Sequence, residues 1–246
     1  MLFYLVVAIV SLLIGLSKGG LGAALVVLVT PLLSQVMSVA DAVSLSLPML
    51  LIADVFALWL FWNKWDMYYI RLMIVPAILG IVVGTFMLAN LPDLALRRIL
   101  GVFTLTFVIY RMLSTQLTRL HFETRPWHGV LAGAASGLGS ALANTGAPPF
   151  TAYMLLLKLP PLTFVGTTTL FFAIVNLIKL PGLIAADLFD LKDVIDTAWA
   201  LPIIPAGVFL GRWLIHRINP HLFERFMLFV LLIAAGVLLF ITPAAR

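Results

Sequence analysis

The chain has 246 residues, 63% of them hydrophobic and 10% charged, with a formal net charge of +5 and no cysteine. Soluble domains carry about 25% charged residues, so this composition belongs in a bilayer, and the absence of cysteine excludes disulfides, thiolate metal sites and thiol redox chemistry. The basic residues lie near the ends of apolar stretches, which is the pattern of cytoplasmic loops and not of a nucleic-acid surface.

A spanning helix needs about 20 apolar residues. On that ruler apolar segments run over 2–33, 39–62, 68–88, 95–113, 128–158, 162–185, 193–215 and 222–241. The amino terminus passes from Met1, Leu2, Phe3 and Tyr4 straight into apolar sequence, without a basic n-region or a small-residue cleavage site, so it is expected to be retained. The first and fifth segments are too long for one helix. They are also the two that are interrupted, by Gly15 to Gly22 with Pro31 in one and by Gly133 to Gly146 with Pro148 and Pro149 in the other. Each is expected to be two half-helices around an unwound stretch, which membranes tolerate only where it is buried in protein or lines a watery cavity.

The interrupted segments open two matching halves. Ser44 and Asp54 are ten residues apart, as are Thr169 and Lys179, and Gly84, Pro92 and Arg97 are echoed by Gly211, Pro220 and Arg225. The expected fold is an all-α integral membrane protein of two inverted repeats, 1–113 and 128–246, joined by a linker at 114–127. Each repeat is a broken, re-entrant segment plus three transmembrane helices. The positions of Lys and Arg support the re-entrant form. With eight crossings, the loops carry six basic residues on one side against seven on the other; with both broken segments returning, nine stand against four. The nine are Lys64, Arg71, Arg111, Arg119, Arg125, Lys158, Arg212, Arg217 and Arg225. The positive-inside rule then puts both termini outside the cytoplasm. Trp59, Trp62, Trp65, Tyr68, Tyr69 and Trp127 mark headgroup level. Glycines 15, 80, 84, 207 and 211 and prolines 48, 76, 202 and 205 are expected places for bending.

Lys18 is the residue least at home in hydrocarbon, where an ammonium costs roughly 2.5–3.5 kcal/mol on insertion scales. Its charge, the backbone N–H groups of Gly19, Gly20 and Gly22, and the dipole of the half-helix that follows together suit an anion. The alternative is a Lys18 that snorkels or pairs with a carboxylate, among glycines that only allow close packing. Asn144, Thr145 and Gly146 precede two prolines at a helix start and are expected to complete the shell, with Ser136 and Ser140 either joining them or mediating helix contact. Two hydroxyl clusters, Ser44 with Ser46 and Thr167 with Thr168 and Thr169, face the ligand or bond back to their own helices. Asp54 and Lys179 are repeat-related opposite charges, read as a structural ion pair before a proton-coupling pair, and Asn176 shares the Lys179 face. His121, His128, His216 and His221 lack metal-ligand spacing, and Ser136 has no base beside it, so neither a metal site nor a catalytic residue is expected, and no cofactor.

Gly19, Gly20, Leu21 and Gly22, followed by Thr30, Pro31, Leu32, Leu33, Ala40, Ala42 and Ser44, and then Gly133, Gly137 and Gly139 with Tyr153, Gly166, Thr167 and Thr168, resemble the TauE/SafE sulfite exporter family over essentially the whole chain. The second break departs from the glycine-rich form at Ala143, Asn144 and Thr145. The resemblance implies a secondary transporter in the cytoplasmic membrane that exports or exchanges small anions such as sulfite, sulfoacetate or related sulfonates. The partners expected are that anion, the lipid bilayer and a second copy in a homodimer, and no nucleic acid. The alternatives are a channel or cation-coupled permease for another solute, and a non-transporting membrane interaction protein.

Overall fold

The computed structural model describes residues 2–21, 23–117, 125–214, 217 and 220–240. Helix α1 (Leu2–Leu16) runs into a π-helical turn at Ser17–Leu21, a 3₁₀ stretch at Ala23–Leu28 and α2 (Val29–Leu33). Three long helices follow, α3 (Val39–Leu60), α4 (Met67–Asn90) and α5 (Asp93–Leu117). After them come α6 (Pro126–Ala143), α7 (Ala147–Leu156), α8 (Pro161–Ala185), α9 (Leu191–Asp196), α10 (Ile203–Leu214) and α11 (Pro220–Phe240).

Helix α1 buries Val7, Val10, Ser11, Ile14 and Gly15, a stripe at intervals of three and four, and exposes Leu2, Tyr4, Leu5 and Ile9. On α4 the outward stripe is Val75, Leu79, Val82 and Phe86, each more than 60% exposed. Helices apolar on both faces are stable only where the outer face meets lipid. Among the described residues, Leu2–Leu21, Val39–Leu60, Met67–Asn90 and Pro161–Ala185 are long and apolar enough to cross a bilayer, and Ala198–Leu214 and Leu228–Phe240 are shorter apolar helices. This is a multi-pass membrane protein.

Both interruptions are real breaks. Gly20 has φ 123° and ψ −8°, a conformation only glycine adopts without strain, so the helix from Leu2 ends there. Asn144 ends α6 in the left-handed region (φ 54°, ψ 22°). Its N–H reaches Ser140 O at 3.1 Å and that of Thr145 reaches Gly139 O at 3.0 Å, and Pro148 and Pro149 then open α7. Each broken segment doubles back. Val29 and Leu33 of α2 pack with Val7, Val10 and Ile14 of α1, and Gly129 of α6 lies under the ring of Tyr153 of α7.

Four glycine pairs at GxxxG spacing hold the long helices together. Gly15 of α1 and Gly19 of the π-helical turn meet Gly207 and Gly211 of α10, whereas Gly133 and Gly137 of α6 lie against α4, whose Gly80 and Gly84 in turn receive α6. A Cβ at Gly137 would stand 2.0 Å from Ala77 O, and one at Gly80 2.1 Å from Ala134 O. The glycines expected as hinges are therefore points of backbone contact, and α4 passes through Gly80 and Gly84 as one helix. Two boundaries also differ from expectation. Helix α5 runs on to Leu117, into the predicted linker. The predicted segment 193–215 is divided: α9 ends where Thr197 Oγ1 donates to Asp193 O at 2.8 Å, and only beyond Pro202 does α10 begin.

The connector from α2 to α3 is fastened by Arg97, whose Nη1 donates to Ser34 O (2.6 Å), Nη2 to Met37 O (2.9 Å) and Nε to Asp93 Oδ2 (2.5 Å). Ser38 caps α3 by accepting from Asp41 N at 3.1 Å. These bonds fix the start of α3, and with it the depth at which its polar residues sit.

Candidate functional site

Helices α3 and α8 pack against each other between the two hairpins, and a group of buried polar side chains converges there. Lys18, in the π-helical turn, donates to Asp54 Oδ1 of α3. The other carboxylate oxygen, Asp54 Oδ2, accepts from Asn176 Nδ2 of α8 at 2.7 Å. One turn further along α8, Lys179 Nζ donates to Asn144 Oδ1 (2.5 Å), Ser140 O (3.0 Å) and Ser140 Oγ (3.4 Å). Asn144 Nδ2 in turn donates to Ser46 Oγ of α3 (2.8 Å) and Thr30 Oγ1 of α2 (3.3 Å).

The left-handed backbone at Asn144 explains its position. It turns the chain at the tip of the second hairpin and sets the amide among α2, α3 and α8. Asp54 and Lys179 are 2% and 1% exposed, and the Lys18 side chain is 13% exposed. At such depth each charge needs partners, because truncating one member of a buried ion pair typically costs about 3–5 kcal/mol.

The structure brings Lys18 and Asn144 into this region together with Ser46 of the first hydroxyl cluster and with Thr30. Thr145 is buried beside it, its Oγ1 donating to Gly139 O at 3.2 Å, and Gly146 lies against Ser136 O with no room for a Cβ. Gly19 packs on Val208 O and Gly20 makes the kink; Gly22 lies outside the described residues. Two expectations change. Lys18 is paired with Asp54, so its charge is already matched. The direct Asp54–Lys179 pair is replaced by Asp54–Lys18 and Lys179–Asn144, because Asn176 and not Lys179 is the α8 residue that reaches the carboxylate.

Three predicted hydroxyls are engaged or placed elsewhere. Thr167 Oγ1 accepts from Asp66 N at 2.9 Å, at the α3–α4 turn, and Thr168 Oγ1 donates to Phe164 O of its own helix at 2.7 Å. Ser44 lines a separate cavity of about 440 Å³ with Asp41, Asp187, Asp190 and Asp193. Burial, followed by the charges of Asp190, Asp41 and Asp196, raises the Asp193 carboxyl above its ordinary range, with Lys192 opposing. An acid-lined cavity repels anions. The serine that reaches Asn144 is Ser46, two residues along a helix and hence on nearly the opposite face from Ser44.

A family model described as Sulfite exporter TauE/SafE matches residues 7–238, spanning both hairpins and every residue of the polar junction. No curated protein and no solved structure matches the chain.

Proposed function

The chain belongs to the sulfite exporter TauE/SafE family of membrane transporters, and from that premise we propose that it exports or exchanges sulfite, sulfoacetate or related sulfonates by alternating access. The observation that carries this is the junction of the two breaks, where Lys18 from one hairpin and Asn144 from the other enter a single buried polar region. Paired broken helices that face each other at mid-depth are the arrangement secondary transporters use for substrate.

Inverted repeats fit the packing. Exchanging each helix of 1–113 for its counterpart in 128–246 maps the α1–α10 contact onto α6–α4, while α3–α8 and α5–α11 map onto themselves. Motion of one half against the other about that axis would expose the junction to each side in turn. Lys64, Arg71, Arg125 and Lys158 gather at the end where α4, α6 and α8 begin, and Asp187, Asp190 and Asp193 at the other. This supports placing the basic end in the cytoplasm, both termini outside and the protein in the cytoplasmic membrane. A homodimer joins the proposal because closed two-fold assemblies are the commonest. The acid-lined cavity beside Ser44 favours one alternative, a cation-coupled permease.

Uptake of labelled sulfite and sulfoacetate into proteoliposomes is the test. Wild type is expected to accumulate anion, and Lys18→Ala to fall to the level of empty liposomes. Cation flux without anion flux would favour the permease, and no flux at all a non-transporting role.

A further inference from the structure

Building on the reading of the junction as an anion site, we propose that Lys179 supplies its unmatched positive charge and that the junction accepts a small anion bearing a single negative charge. The charge count leads there. Lys18 and Asp54 neutralise each other, whereas Lys179 has no carboxylate within ion-pair distance among the described residues. Two ammoniums and one carboxylate leave one positive charge over, in a region where Asp54 and Lys179 are almost fully buried.

The partners of Lys179 satisfy its hydrogen bonds without neutralising it. An ammonium has three donors and no acceptor, and here the donors meet a backbone carbonyl, a hydroxyl and an amide oxygen. The bond to Ser140 Oγ, at 3.4 Å, is long enough to yield to an anionic oxygen. A second donor stands ready. Ser136 is fully buried, its Oγ has no hydrogen-bond partner among the described residues, and it lies one turn before Ser140 on the same face of α6. Buried hydroxyls are normally bonded, so one left open a turn from Ser140, whose carbonyl and hydroxyl hold the Lys179 ammonium, marks a place for an acceptor. An anion between Lys179 and Ser136 brings the junction to neutrality. A dianion would exceed it by one charge, at the cost that any unpaired buried charge carries.

The test compares methanesulfonate, a monoanion, with sulfoacetate, a dianion, as labelled substrates in proteoliposomes. Wild type is expected to favour methanesulfonate in kcat/KM. Lys179→Gln should lower that value by roughly 10- to 100-fold, the loss expected for one charge-assisted contact. Lys18→Gln should also lower it, because Asp54 then cancels Lys179. The decisive arm is Lys18→Gln with Asp54→Asn, which restores the single charge and should recover about tenfold over Lys18→Gln alone. Asp54→Asn by itself should turn the preference toward sulfoacetate.

A Lys179→Gln protein with wild-type kcat/KM overturns the assignment, as does a double variant no better than Lys18→Gln. If Lys179→Gln fails to elute as a single species in detergent, the Asp54→Asn preference and the rescue decide. A wild type that moves no anion counts against the transporter reading itself, whereas an active wild type with indifferent variants removes only the charge assignment.

Discussion

Asp54→Ala is expected to destabilise the protein by about 3–5 kcal/mol, because it strands the Lys18 ammonium in a buried site without its carboxylate. It also removes the acceptor of Asn176 Nδ2, which is buried on α8. The combined Lys18→Ala and Asp54→Ala variant should be the more stable of the two, since it removes the stranded charge and leaves only the loss of packing and of the Asn176 bond. Asp54→Asn should fall less far than Asp54→Ala, because an amide oxygen still accepts from the ammonium. Thermal unfolding in detergent at fixed pH and salt reads these differences. A change below about 0.5 kcal/mol for Asp54→Ala, the size of an ordinary surface substitution, would mean that Lys18 finds headgroups instead.

The second large effect is at Asn144, where backbone and side chain can be separated. Asn144→Ala places a Cβ in a left-handed conformation that asparagine tolerates and alanine does not, at about 1–2 kcal/mol. It also removes the bonds to Lys179, Ser46 and Thr30. Asn144→Gly keeps the turn and loses only those bonds. It should therefore be more stable than Asn144→Ala by about 1 kcal/mol, yet show the same fall in kcat/KM, roughly 100-fold or more for losing an acceptor to a buried ammonium. Wild-type transport by Asn144→Gly would place the anion away from this side chain.

The helices and both breaks were legible because the bilayer imposes a length that can be counted, and because Gly20, Asn144 and Pro148 are residues whose backbone preferences end or start helices locally. The division of 193–215 was harder to read, since Pro202 and Pro205 look like tolerable kinks in an apolar run. Side-chain partners were less accessible still. In a helix that is apolar on every face, periodicity does not say which face is inward, so Ser44 and Ser46 were indistinguishable until packing separated them. Asp54 and Lys179 stood out as repeat mates, but symmetry-related residues need not touch, and the pairing with Lys18 depends on how the first hairpin folds back beside α3. The GxxxG glycines carried a packing signal in their spacing, which competes with the equally general signal for bending.

The chain has no cysteine, so Ser136→Cys would carry the only thiol, placed where the anion is expected to bind. In proteoliposomes, N-ethylmaleimide should label it slowly, as alternating access opens the junction. Methanesulfonate should slow the reaction several-fold further, while its neutral isostere dimethyl sulfone should not. Labelling indifferent to methanesulfonate, equally slowed by the sulfone, or absent under every condition would contradict an anion site at the meeting of the two hairpins.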